Sequence, residues 1–260
     1  MGIKHKLFYG TMALHQWVAK RQGGSIQFIP DYLKNCIATQ PMAYDAVGTT
    51  QRENFYGQYD YVRYRTIELL ASEIYQHQVE GEIAEAGVDC GECSWVINAA
   101  FPDRKMYLYD TFTGFDQRDV EIEKQNRYTT KSFFENSNYF KRERFQSSEE
   151  QMEFVKKRLQ HPENVSFRKG YFPETAKGEK DNRFAFVSLD MDLYQPIRKG
   201  IEFFYPRLNK GGFMMIHDYN HREFLGIKKA VAECEELFGP LATVPIPDQG
   251  GTVVIAKVTE

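Results

Sequence analysis

Residues 82–94, EIAEAGVDCGECS, decide the fold. EIAEAGV predicts a strand over 82–88, and Asp89-Cys90-Gly91 predicts a glycine-containing turn. A helix is expected from near Ser94 to about Phe101, where Pro102 stops it. Glycines at 87 and 91 let the backbone turn sharply and approach a ligand closely. Their spacing is G-x-x-x-G, not the G-x-G-x-x-G of a dinucleotide site.

Downstream of this unit the alternation of strand and helix repeats. Strands are predicted over 105–109 (ending in Asp110), 165–168, 184–189 and 213–216, with FAFVSL at 184–189 reading as buried on both faces. Helices are predicted from Ser148, where Ser148-x-x-Gln151 can form a capping box, through Leu159, and over 197–208 and 222–238. Asn209-Lys210-Gly211-Gly212 is read as closing the second of these. A terminal strand pair, 241–246 and 252–257, is joined through Pro247–Gly251 without a helix and should be antiparallel. Residues 113–161 are polar, mixed in charge and long for a connection, so they read as an insertion. Upstream, 61–78 place Ile67, Leu70, Ile74 and Tyr64 on one face of an amphipathic helix. Residues 1–60 are irregular and aromatic. The expected organisation is an N-terminal extension or lid over 1–78 and an α/β domain over 79–260, with a mostly parallel sheet and helices on both faces.

Composition narrows the function. The chain has 260 residues, 27% of them charged, and 33 basic against 36 acidic residues give a net charge of −3. That balance argues against a nucleic-acid partner and against a polybasic membrane patch. No apolar run approaches the ~20 residues that cross a bilayer, and the N-terminus lacks the apolar core of a signal peptide, so a cytoplasmic protein is expected. Of four cysteines, Cys90 and Cys93 form a C-x-x-C. It reads as a zinc half-site without a second pair, as a redox pair at a strand-to-helix turn, or as small residues in a tight loop.

In sheets of this kind, ligands bind beyond the carboxyl ends of the strands. Around the first turn, acidic residues at 85, 89 and 92 would repel a pyrophosphate and suit an ammonium group. Asp110 ends the next strand, 19 residues after Gly91, where a carboxylate can hold both hydroxyls of a ribose. A nucleoside with a cationic tail and no phosphate points to S-adenosylmethionine. Asp190 and Asp192 follow the fourth strand, and His217-Asp218 end the fifth. Desolvating these carboxylates without a cation is costly, and adjacent strand ends can converge on one ion. An oxygen-rich set favours Mg²⁺, and a coordinating His217 shifts the preference toward Mn²⁺ and its neighbours.

GEIAEAGVDCGECS, LYDTFTGF, KGYFPET, LDMDLYQPI and YPRLNKGGFMMIHDYN, in this order from about residue 60 to the C-terminus, resemble the macrocin O-methyltransferase (TylF-like) family. The resemblance implies a Rossmann-like class I methyltransferase fold: a seven-stranded, mostly parallel sheet with an antiparallel C-terminal strand and an aromatic N-terminal extension. It implies metal-dependent methyl transfer from S-adenosylmethionine to a hydroxyl acceptor, mainly on sugars of glycosylated natural products. By position, Glu85 and Gly87 would contact the methionine end, Asp110 the ribose, and Thr111 and Gly170-Tyr171-Phe172 would lie near the nucleoside, with Val88, Gly91 and Ser94 also in the cofactor site. Asp190 and Asp218 would bind the metal and Asp192 would be the best candidate base; His217, ending the fifth strand beside Asp218, is a further candidate metal ligand and base from its own chemistry. Where the family commonly carries two acidic residues before the tyrosine of the last motif, this chain has His217 and Asp218.

The aromatic residues Tyr56, Tyr59, Tyr61, Phe133, Phe134, Tyr139 and Phe140 are candidates to stack on the acceptor, or to pack an extension or a homodimer contact. Arg142 and Arg144 lie among them. Two other classes stay open at this point. One is a metal-dependent glycosyltransferase using Asp190-x-Asp192, and the other a non-catalytic nucleoside-binding module.

Overall fold

A computed structural model describes residues 60–129, 145–179 and 181–259. Helix α1, Tyr61–Gln76, opens the described chain, with the Asp60 carboxylate accepting from the Arg63 N–H at 3.3 Å as its cap. Of the expected apolar stripe, Tyr64, Ile67 and Ile74 are buried and Leu70 is partly buried; Ala71 joins them, and they pack in one cluster with Ile83, Phe186 and Met215 of the sheet. Each large side chain on that stripe contributes about 1.5–3 kcal/mol by leaving water.

The alternation then runs β1 Glu82–Ala86, α2 Glu92–Ala100, β2 Met106–Asp110, α3 Gln117–Asn126, α4 Ser148–Arg158, β3 Val165–Lys169, β4 Phe184–Leu189, α5 Tyr194–Phe204, β5 Leu208–Ile216, α6 Leu225–Phe238, β6 Ala242–Pro245 and β7 Val253–Ala256. The sheet has seven strands in the order β3-β2-β1-β4-β5-β7-β6. β1 pairs in parallel with β2 and β4, β2 with β3, and β4 with β5, whereas β7 runs antiparallel to β5 and β6. This is the expected Rossmann-like sheet with its reversed C-terminal strand. One core face gathers α1, α2 and α4, and the other gathers α3, α5 and α6. Strand order reverses between β1 and β4, which places the ligand crevice above them.

Several local expectations need correction. Helix α2 starts at Glu92 rather than Ser94, with Gly91 as its cap in the left-handed region (φ 72°). The cap of α4 is Ser147, one residue before the expected Ser148, and Ser147 Oγ accepts from the Glu150 N–H at 3.1 Å. Helix α5 begins at Tyr194, not Ile197, and gives way after Phe204 to a short 3-10 turn, Tyr205–Arg207, that contains Pro206. Residues 209–212 therefore belong to β5 instead of closing a helix, and the β4–β5 register shifts between Phe184 and Phe186 beside them. Helix α6 starts at Leu225 rather than Arg222.

Within 113–161 the sequence pattern does not announce helix α3. Its buried residues are Asp119, Val120 and Glu123, so two of three inward positions are polar and no apolar period exists to detect. Glu123 is buried for a reason. Its carboxylate accepts from the Tyr194 backbone N–H at 2.6 Å and from the Thr129 hydroxyl. It thereby supplies the cap that α5 lacks from its own sequence, just after Asp190 and Asp192. Among the described residues, no helix is long and apolar enough to cross a membrane. Tyr56, Tyr59, Phe133, Phe134, Tyr139, Phe140, Arg142 and Arg144 lie outside the described residues, as does the Tyr61 side chain.

Candidate active site

At the carboxyl ends of β1, β2, β4 and β5 lies a cavity of about 730 Å³. Of the residues expected there, Glu85, Gly87, Val88, Asp110, Thr111, Gly170, Tyr171, Phe172, Asp190, Asp192, His217 and Asp218 all lie on its wall. Gly91 and Ser94 do not. Gly91 faces Val155 of α4, whose side chain would meet an added Cβ at 2.7 Å. Ser94 is fully buried and donates its hydroxyl to Glu85 Oε2, so it holds the carboxylate from behind.

Glu85 itself is fully buried, and its Oε1 has no hydrogen-bond partner among the described residues. Burial pushes its pKa up to about 8 against the opposing Ser94 bond and the Arg63 charge. An unpaired carboxylate oxygen on a cavity wall is a place for a cation. Asp110 is more heavily engaged than the sequence suggests. Its Oδ2 accepts from the N–H groups of Val88 at 2.7 Å and Asp89 at 3.1 Å, and its Oδ1 from Phe112 at 2.7 Å. It fixes the glycine turn to the end of β2 while remaining on the cavity wall. Thr111 Oγ1 donates to the Gly114 carbonyl at 2.5 Å, tightening the loop that leads to α3.

The deep end of the cavity is ionic. His217 Nδ1 lies 3.0 Å from Asp190 Oδ1 and 3.2 Å from Asp218 Oδ2, without meeting hydrogen-bond geometry to either. Ligand atoms of Asp190, His217 and Asp218 all fall within 4.8 Å of one another. This two-oxygen, one-nitrogen set fits a divalent ion of the Mg²⁺ or Mn²⁺ class. Burial lowers the His217 pKa, but Asp190 dominates and raises it to about 10. Burial acts to raise Asp190, yet His217 and Arg63 hold it well below the usual carboxylate range. Asp192, at a φ of 60°, is driven the other way by burial and by the charges of Asp190 and Asp218.

Three contributors escape a reading of the sequence. Arg63 of α1 is buried and donates to Asp190 Oδ2 at 2.9 Å. A signal existed, since Arg63 sits four residues before Ile67 and so extends the apolar stripe of its helix. Asp119 of α3 accepts the Tyr171 hydroxyl at 2.9 Å, with Arg118 stacked 3.7 Å over the same ring, and burial raises its pKa to about 6. No local pattern announces that pairing. The third is the loop before β7. An added Cβ on Gly250 would meet His217 Nε2 at 2.2 Å and Asp218 Oδ1 at 2.8 Å, so bare backbone is pressed onto the imidazole. Gly250→Ala is therefore expected to overpack the site and cost about 1–3 kcal/mol, read as a lower urea midpoint. An unchanged midpoint would mean that the loop swings away freely.

Cys90 and Cys93 are buried, and burial pushes the Cys93 thiol far above its ordinary pKa. That opposes the thiolate which zinc binding or disulfide exchange requires.

Comparison with known proteins gives a family and a fold. The family described as macrocin-O-methyltransferase (TylF) matches residues 54–243. The chain is 40% identical over 57 residues to 8-demethyl-8-(2,3-dimethoxy-alpha-L-rhamnosyl)-tetracenomycin-C 4'-O-methyltransferase of Streptomyces olivaceus. That match spans 22% of each chain. The structure of the O-methyltransferase NovP superposes with a TM-score of 0.60 at 22% identity, covering 76% of this chain and 80% of that one. The calicheamicin methyltransferase CalS11 gives 0.55 at 16% identity, covering 89% and 94%. These two superpositions show the fold.

Proposed function

The chain belongs to the macrocin-O-methyltransferase (TylF) family, and from that premise we propose that it moves a methyl group from S-adenosylmethionine to a sugar hydroxyl of a glycosylated natural product or polysaccharide precursor. The observation that carries this reading is the shared cavity: an unpaired buried Glu85 oxygen on its wall, and Asp190, Asp192, His217 and Asp218 converging beyond β4 and β5. The Streptomyces olivaceus relative is named for methylation of a rhamnosyl tetracenomycin, which supports a deoxysugar glycoside as the acceptor class. A structure of the O-methyltransferase TomG is described in complex with S-adenosylmethionine, in keeping with that cofactor here.

S-adenosylmethionine, when bound, supplies a methyl carbon activated by a positively charged sulfur. A divalent ion held by Asp190, His217 and Asp218 would supply Lewis acidity to a vicinal diol. Glu85 would receive the ammonium group, and the turn from Gly87 to Asp89 with Asp110 would receive the nucleoside. Asp192 would accept the acceptor's hydroxyl proton as the oxygen–carbon bond forms and the carbon–sulfur bond breaks, leaving its electron pair on sulfur. Phe115, Asp119 and Gln151 of the insertion line the same cavity, where they would face the acceptor or the cofactor.

Calorimetric titration with S-adenosylmethionine, with and without Mg²⁺ and Mn²⁺, tests the cofactor. Glycoside acceptors are then screened by mass spectrometry for the gain of one methyl group. Micromolar-range binding and methylated glycoside are expected. Failure to bind under every metal condition, with binding of a nucleotide sugar instead, would overturn the reading in favour of glycosyl transfer.

A further inference from the structure

Asp192, the base proposed above, sits in backbone that its own segment does not hold. It has a φ of 60°, and the Leu193 N–H donates back to the Met191 carbonyl at 2.6 Å, closing a three-residue turn around it. A turn of this kind with a left-handed central residue is rare and strained, and it persists only where the surroundings fix both of its ends. The upstream end is fixed by the sheet, since the Asp190 N–H donates to the Ala86 carbonyl of β1 at 2.8 Å. The downstream end is Tyr194, the first residue of α5, which no side chain of its own segment caps. The Tyr194 N–H donates instead to the carboxylate of Glu123, 71 positions away, at 2.6 Å.

Glu123 is 1% exposed and accepts a second hydrogen bond, from the Thr129 hydroxyl. The segment behind it is tied down in turn. Thr129 forms an antiparallel bridge with Phe224, the Gly226 N–H donates to the Tyr128 carbonyl at 3.2 Å, and the Tyr128 ring packs 4.7 Å from that of Tyr194. Phe224 and Gly226 belong to the start of α6, the helix that follows His217 and Asp218. Residues 123–129 therefore join the first turns of the two helices that lead away from the acidic strand ends. An added Cβ on Gly226 would meet Tyr194 Cβ at 2.6 Å and Tyr128 Cβ at 2.9 Å, so there is no slack where the three segments meet.

We infer that Glu123 is a positioning residue for methyl transfer: its hydrogen bond to the Tyr194 N–H holds the turn at 190–193 so that the Asp192 carboxylate faces the cavity. This rests on the function proposed above, with Asp192 as the base. Glu123 itself is not among the residues of the cavity wall, and it acts only through the turn. Its effect falls on the geometry of proton removal, where a displacement of about 1 Å costs on the order of 100-fold in rate.

The test measures methyl transfer to the glycoside found by the screen above in Glu123→Ala and Glu123→Gln, each alone and combined with Asp192→Asn, with thermal melting to confirm folding. Glu123→Ala is expected to lower kcat about 10- to 100-fold and to leave the KM for S-adenosylmethionine within about twofold. Glu123→Gln should recover most of that loss, because its amide oxygen can accept from the Tyr194 N–H and its amide nitrogen can donate to Thr129. In the Asp192→Asn background the alanine change should cost no more than about twofold, since the base it positions is gone. Backbone hydrogen exchange at Leu193 and Tyr194 should accelerate about tenfold or more in Glu123→Ala and stay near wild type in Glu123→Gln. If Glu123→Ala does not fold, Thr129→Val removes one of the two donors and carries the same comparison, with a smaller loss of the same kind. A wild-type kcat in Glu123→Ala would overturn the inference. So would an equal loss in both backgrounds, which would reduce Glu123 to general support of the fold. If the wild-type protein methylated no glycoside, the function proposed above would fall, and unaltered exchange in Glu123→Ala would separately show that Glu123 does not hold the turn.

Discussion

Asp192→Asn is expected to lower kcat by about 10²- to 10⁴-fold while leaving the Kd for S-adenosylmethionine within about twofold. The residue follows β4 directly, in a left-handed conformation at φ 60°, and lies on the wall of the cavity beside Asp190 and Asp218. Without a bound cation, burial and the charges of Asp190 and Asp218 raise its pKa above that of a solvated aspartate. Asparagine keeps the shape and the hydrogen-bonding reach but cannot take a proton from an alcohol. The pocket proposed for the cofactor, at β1, β2 and the turn after Gly87, is untouched by the change. Turnover is followed with a labelled methyl group and affinity by calorimetry. Full activity in Asp192→Asn would move the base elsewhere, with His217 the next group to test. A parallel loss of cofactor affinity would instead make Asp192 part of the binding site.

The second large effect is expected from Gly87→Ala. Gly87 has a φ of 88°, and an added Cβ would lie 1.9 Å from the Asp190 carbonyl oxygen and 2.5 Å from its carbon. Neither atom can retreat easily. The Gly87 N–H donates to the Tyr109 carbonyl at 2.9 Å, and the Asp190 N–H donates to the Ala86 carbonyl at 2.8 Å, so the glycine is wedged between β2 and β4. The left-handed backbone adds strain of its own for any residue with a side chain. A loss of roughly 4 kcal/mol or more in urea unfolding is expected, together with weakened cofactor binding as Asp190 is displaced. A cost below about 1 kcal/mol would show that the turn can open without disturbing β4.

How much of this is legible in the chain follows from where each signal resides. The glycine turn at 87–91, the fully apolar β4 and the alternation of short strands with helices are local features. They imply a parallel sheet and place Glu85, Asp110, Asp190 and His217 at strand ends before any coordinates are known. The convergence of Asp190, His217 and Asp218 follows from two adjacent parallel strands ending at the same level, which register alone sets. The motifs, taken in series, lead to a family of methyltransferases because their order and spacing are themselves sequence properties.

What only the tertiary structure decided lies in contacts between segments far apart in the chain. Helix α3 hides its polar inward face because Asp119 and Glu123 are satisfied by Tyr171, Thr129 and the start of α5, not by an apolar stripe. Arg63 reaches Asp190 across 127 positions. Gly250 is small because an imidazole from another strand lies against it. Ser94, expected at the ligand, turns out to stand behind Glu85, and Asp110 is spent largely on the turn it closes. Local propensity and periodicity are written in neighbouring residues and can be read from them. The partner of a buried charge is chosen by whichever distant group folding brings within about 3 Å, and no periodicity records that choice.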